Sequence, residues 1–143
     1  MLLTYPAVFY GNGDEEGYAV VVPDLPGCVS GGYTLEEAMM MGIDAASGWV
    51  LGCMEDDRPI PKASHIRDIR PDPEDGEEFF VSMLLLDMDD YAAKFGNDNP
   101  VEKSCSIPAW LDKFAEERHV DYSRALQDSL MDIYVRENSA AYG

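Results

Sequence analysis

Five carboxylates, Asp24, Glu36, Asp87, Asp89 and Asp90, are the side chains of this chain that come nearest to a catalytic set. Two or more of them converging on Mg²⁺ would polarise a phosphodiester and activate water. With 28 acidic residues among 143, however, a set of this size arises from composition alone. His65 and His119 both fall in polar connecting stretches. Cys28, Cys53 and Cys105 are far apart and form no CxxC pair, which argues against a zinc site. Catalytic nucleophile motifs and phosphate-binding glycine loops are missing from the sequence. These residue types point away from enzymatic chemistry and toward binding, with no cofactor and no metal expected.

The formal net charge is −18 and the sequence pI is near 4.1. Such a field attracts basic partners and disfavours nucleic acid and anionic membrane. The charge is unevenly placed, with 5 basic against 20 acidic residues in positions 1–99 and 5 against 8 in positions 100–143. A punctuating "NDNP" at Asn97–Pro100 separates the two stretches. Two domains are therefore expected, 1–97 and 98–143. No basic leader and no apolar run of about 18 residues occurs, so a cytoplasmic protein with reduced thiols is expected.

The elements that would position these residues follow from periodicity. Leu2 to Tyr10 and "YAVVV" read as a β-hairpin joined by "GNGDEEG". "PDLPG" stops the second strand, and Cys28 to Ser30 are expected as a short further strand or return arm. Thr34 and Glu37 make a capping box for a helix reaching about Met54, with Gly42, Ala45 and Ala46 small enough to approach a sheet. Of Met39–Met41, Met39 lies on its apolar stripe, the mark of helix packing rather than of a pliable binding surface. A Pro- and charge-rich loop of about 20 residues follows. The nearly unbroken apolar run Phe79–Met88 reads as a buried strand, and "DDYAAKFG" as a short helix.

Beyond residue 100, "KSCSIP" alternates Cys105 and Ile107 on one side with Ser104 and Ser106 on the other, as a strand does. A helix then carries Trp110, Leu111 and Phe114 as an apolar stripe. After "RHVD", with Asp121 as N-cap, a second helix carries Leu126, Leu130 and Ile133. So few residues cannot bury such a face alone, so a homodimer or a dimer of dimers is expected, with Cys105, Ile107, Trp110, Leu111, Phe114, Leu126, Leu130 and Ile133 as the dimer core. This order resembles the ribbon-helix-helix family, whose β-ribbon reads the major groove. The resemblance implies that Ser104 and Ser106 read base edges with Lys103 near the backbone, and that Tyr122, Ser123 and Arg124 clamp a phosphate. A dimerisation arm that touches no DNA uses the same elements.

In the first domain, Tyr18, Val20–Val22, "PDLPG", Gly32 and "TLEEA" at Thr34–Ala38 stand at the offsets of the HicB antitoxin family, and the chain resembles that family over nearly its full length. The resemblance implies an α+β chain: a truncated RNase H-like domain (β-β-β-α-β-α) that binds the basic HicA ribonuclease toxin, followed by a ribbon-helix-helix (β-α-α) domain that dimerises and binds operator DNA. An acidic domain suits a basic toxin on electrostatic grounds as well. Two other readings stay open, a metal-dependent RNase H-like nuclease and a stand-alone ribbon-helix-helix transcription regulator.

Overall fold

A computed structural model describes residues 1–96 and 101–142, with side chains through residue 137. The chain divides into two compact units, Met1–Asn97 and Asp98–Ala141. The expected break at Asn97–Pro100 falls outside the described residues.

The first unit contains β1 (Leu2–Tyr10), β2 (Tyr18–Val21), β3 (Val29–Gly32), α1 (Leu35–Glu55), β4 (Phe79–Asp87) and α2 (Met88–Phe95). The strands form one antiparallel sheet in the order β3-β2-β1-β4. Alternate residues of β1, namely Leu3, Tyr5, Ala7 and Phe9, are fully or almost fully buried and share a face with Val20 and Leu84. That face carries α1, as the closest points of Gly42 show. A Cβ on Gly42 would lie 3.1 Å from Val20 Cγ1 and 3.4 Å from Leu84 Cδ1. Each fully buried Leu or Val on this face contributes about 1.5–3 kcal/mol.

Helix α1 starts where the capping box predicts, with Thr34 Oγ1 accepting from the Glu37 amide at 3.1 Å. Gly32 just before it is required by contact: a Cβ there would stand 2.5 Å from the Ala38 nitrogen. The "PDLPG" turn folds back on itself, with Leu25 N–H donating to Val22 O and Cys28 N–H to Leu25 O. Gly27 takes φ +82, which L side chains rarely adopt. Trp49, half-buried on α1, locks the turn by donating from Nε1 to Pro26 O at 3.1 Å.

The long loop between α1 and β4 is anchored at several points rather than free. It contains a 3₁₀ turn at Ile66–Asp68 and buries Ile60 and Ile69. The Tyr5 hydroxyl donates to Pro61 O at 2.6 Å, and the Asp72 amide donates to the Tyr10 hydroxyl at 3.0 Å.

Strand β4 corrects the expectation of a buried strand. It is the edge of the sheet, and Phe79, Met83 and Leu85 are exposed, Leu85 by 55%. A continuous apolar run looks the same in sequence whether both faces of a strand are covered or only one. Its ladder with β1 continues past both strand ends, through Gly11 N–H to Glu78 O at 2.8 Å and Met88 N–H to Met1 O at 3.0 Å. Antiparallel ladders alternate hydrogen-bonded and non-bonded pairs. Even-numbered residues of β4 therefore bond β1, while Phe79, Val81, Met83, Leu85 and Asp87 direct their amides and carbonyls to the open edge.

The second unit contains α3 (Ala109–Glu117) and α4 (Tyr122–Tyr142). The strand expected at "KSCSIP" is not formed: residues 101–108 carry no strand in this chain. A strand is defined by its ladder, and a single copy of the segment has no neighbour to pair with. Pro108 takes φ −59 and ψ 141 immediately before α3. His119, exposed in the break between α3 and α4, takes the left-handed region at φ 55 and donates its amide to Glu116 O. Among the described residues of this unit only Ala115 is buried.

Candidate functional site

The five carboxylates do not form a centre. Asp24 accepts from the Ser64 amide at 2.8 Å and the Ser64 hydroxyl at 2.6 Å, fastening the long loop to the "PDLPG" turn. Asp87 caps α2 by accepting from the Asp90 amide, Asp89 pairs with the Met1 amino group at 2.8 Å, and Asp90 pairs with Lys94 at 3.0 Å. Glu36 lies in the first turn of α1, where it favours the helix dipole. Among the described residues no three His, Cys, Asp or Glu side chains gather as metal ligands. His65 is exposed, and Nδ1 of its ring accepts from the Arg67 amide and side chain, capping the 3₁₀ turn.

The acidic residues instead concentrate at one end of the sheet. Gly11 N–H to Glu78 O joins the β1–β2 connection to the stretch leading into β4. This brings Asp14, Glu15 and Glu16 to the same end as Glu77 and Glu78, around an open cavity of about 320 Å³ lined by Tyr10, Glu16, Glu77 and Glu78. Neither positions 11–18 nor 71–79 contain a Lys or Arg to balance them. The stretch "DPEDGEEFF" is acidic by composition, but its proximity to the hairpin depends on strand order.

In the second unit Lys103, Cys105 and Ile107 line one groove of about 500 Å³ with Tyr122, Ser123 and Leu126. Six of the residues read from sequence as DNA-binding or core-forming are thus gathered. Ser104, Ser106 and Arg124 are exposed outside this groove. The apolar row expected in a dimer core lies uncovered in the single chain: Trp110 is 71% exposed, and Leu111, Phe114, Leu126, Leu130 and Ile133 are also exposed. Arg118 stacks its guanidinium 5.0 Å from the Phe114 ring centre.

Two carboxylates modify the expected phosphate clamp. Asp121 Oδ1 accepts from the Arg124 amide at 3.2 Å, so one amide of the clamp is already engaged. The Tyr122 hydroxyl donates to Asp112 Oδ1 at 2.7 Å, which makes Tyr122 a tie between α3 and α4. The hydrogen bond to the Asp112 carboxylate, with some burial and the nearby charges of Asp112 and Glu116, pushes the phenol up to about 12. Sequence reading identified Asp121 as a cap but gave no sign of Asp112, because the pairing joins two helices ten residues apart. Burial raises the Cys28 thiol above its ordinary value; Cys53 is also buried, and Cys105 is exposed.

A 40% identical stretch of 74 residues, 52% of this chain and 55% of the relative, is shared with an uncharacterised 14.9 kDa protein of Haemophilus phage HP1. Antitoxin HicB 2 of Photorhabdus laumondii is 42% identical over 62 residues, 43% of each chain. The matches span about half the length of these curated relatives. Among solved structures, a chain of a toxin-antitoxin complex from Streptococcus pneumoniae matches at 29% identity and TM-score 0.59, covering 92% of this chain and 99% of that one. The fold also matches the Burkholderia pseudomallei antitoxin HicB at 23% identity and TM-score 0.50, covering 92% and 98%. The model of the HicB-like antitoxins of bacterial toxin-antitoxin systems matches residues 5–129, and with the sheet, the "PDLPG" turn and the capped helix α1 in place, the chain belongs to that family.

Proposed function

We propose that the chain is the antitoxin of a HicA/HicB-type system with two tasks. The first unit, read as a truncated RNase H-like domain, binds a HicA-like mRNA interferase and covers its RNA-facing surface. The second unit, read as a ribbon-helix-helix domain, dimerises and represses the chain's own operon. Neither task requires chemistry from this chain, and no metal or cofactor takes part.

The observation that carries this reading is the uncovered apolar row of the second unit, from Trp110 to Ile133, lying on α3 and α4 beside the unpaired segment 101–108. A second copy supplies what each lacks. Two segments 101–108 pairing antiparallel form the ribbon, and four helices close over it. Ser104 and Ser106 then point outward to base edges, and Lys103 approaches a phosphate. The toxin task is supported by the likeness to a chain of the S. pneumoniae toxin-antitoxin complex and by the excess of acid in the first unit.

Co-expression of the chain with a basic open reading frame beside its gene tests both tasks. Restored growth, one co-eluting complex and a retarded operator fragment are the expected results. A toxic neighbour that the chain neither binds nor neutralises would overturn the antitoxin reading.

A further inference from the structure

The open edge of β4 carries an inference that rests on the antitoxin reading and assigns its contact surface. Two properties coincide on the same residues. The ladder parity derived above sends the amides and carbonyls of Val81, Met83 and Leu85 to the unpaired edge. The alternation of side chains places those same residues on the face away from α1, where Met83 and Leu85 are exposed beside Leu2, itself 64% exposed. An incoming strand therefore meets backbone groups that bond no other strand of the sheet, together with exposed apolar side chains.

Natural edge strands are protected by Lys, Pro, bulges or inward charges. Strand β4 has none of these across "FFVSMLLL", and its register with β1 is unbroken from Leu2–Asp87 to Tyr10–Phe79. Charge appears only at the ends, with Glu77 and Glu78 before the strand and Asp87, Asp89 and Asp90 after it. A second copy pairing antiparallel about the middle of β4 would bring Glu77 and Glu78 toward Asp87, three like charges at each end of the new ladder. A basic protein presenting an extended apolar segment between Lys or Arg residues meets the same ends with opposite charge.

The geometry points to β4 as the toxin-docking edge: the basic toxin adds a fifth strand to the sheet beside Val81–Leu85, with its flanking cations on the carboxylates at either end. Main-chain bonds give this contact its affinity, and the Met83 and Leu85 side chains with the flanking charges give it selectivity.

Two substitutions in the full-length chain test the docking edge against the co-expressed basic neighbour, read by titration calorimetry and by inhibition of RNA cleavage. Met83→Pro removes one edge-facing amide hydrogen and no β1 ladder bond, and Leu85→Lys places a cation in the path of a cationic partner. Each is expected to weaken toxin binding by about tenfold or more. Met40→Lys, at a 70% exposed position on α1, and the thermal melts of all three variants are expected to stay near wild type. Wild-type affinity in both β4 variants would overturn the docking edge while leaving the antitoxin reading in place. A wild-type chain that fails to bind the neighbour would overturn that reading itself. If the β4 variants keep toxin affinity but change the sedimentation mass of the free chain, the edge belongs to a second copy, and the proposal fails.

Discussion

The Tyr122 hydroxyl lies 2.7 Å from Asp112 Oδ1 and 3.2 Å from the Asp112 carbonyl, joining the first turn of α4 to the middle of α3. The bond exists only while the phenol holds its proton. Tyr122 titrates near 10 in an unfolded chain and near 12 here, so the folded state binds more proton between those values. The stability it gives is complete below pH 10 and is lost as pH rises toward 12. Replacing Tyr122 with Phe should abolish that part of the alkaline loss. Parallel melting curves of both proteins from pH 8 to 12 check it, and identical pH profiles would show that the bond contributes nothing.

Asp121 places a negative charge at the N-terminus of α4, where the proposed clamp would hold a phosphate. Asn keeps the capping oxygen and removes the charge. Asp121→Asn should therefore strengthen operator binding by roughly fivefold, corresponding to about 1 kcal/mol for a charge at a helix end. Fluorescence anisotropy at fixed salt measures it, and the gain should shrink as salt rises. Unchanged affinity would remove this terminus from the DNA interface.

Replacing Ser104 and Ser106 together with Ala should abolish operator retardation while leaving the dimer mass and toxin neutralisation as they are. Simultaneous loss of all three properties would assign segment 101–108 a purely structural role.

Toxin binding should raise operator affinity at low toxin ratios, because a basic partner cancels part of the charge on the first unit. Matched-salt titrations of operator with the free chain and with the complex decide it. Equal or weaker binding by the complex would count against electrostatic coupling.

Gly32→Ala should cost about 1–3 kcal/mol, since its Cβ would run into the backbone of α1 at Ala38. Gly42→Ala is predicted to be milder. Its neighbours are the side-chain atoms Val20 Cγ1 and Leu84 Cδ1, and Ala gains up to about 1 kcal/mol of helix propensity. Urea denaturation of the two variants ranks them, and a larger loss at Gly42 would contradict the packing described.

The sequence disclosed those features whose causes are local. Thr34 and Glu37 announce α1 because a capping box is a contact between residues three apart, and the "PDLPG" turn is set by its own prolines and glycine. Strand β4 was legible as a strand but not as an edge, since its position depends on which strands pair with β1. The strand expected at residues 101–108 is not formed for a related reason: a ladder needs a neighbouring strand, and nothing in the local residue pattern says whether one is at hand. Asp112 carried no sequence signal because its importance comes from a hydrogen bond to Tyr122 on another helix. The acidic end of the sheet was visible as composition, yet only the Gly11–Glu78 bond shows that its two halves are neighbours.

The chain holds two tryptophans, and the fold assigns one to each unit. Trp49 is half-buried with its indole N–H on the Pro26 carbonyl, while Trp110 stands 71% exposed on α3. The indoles therefore act as built-in optical labels of separate events. Emission from Trp110 moves to shorter wavelength when its helix is covered, whereas emission from Trp49 changes only when the first unit opens. With either indole replaced by Phe, the colour of the other follows assembly or unfolding without any attached dye.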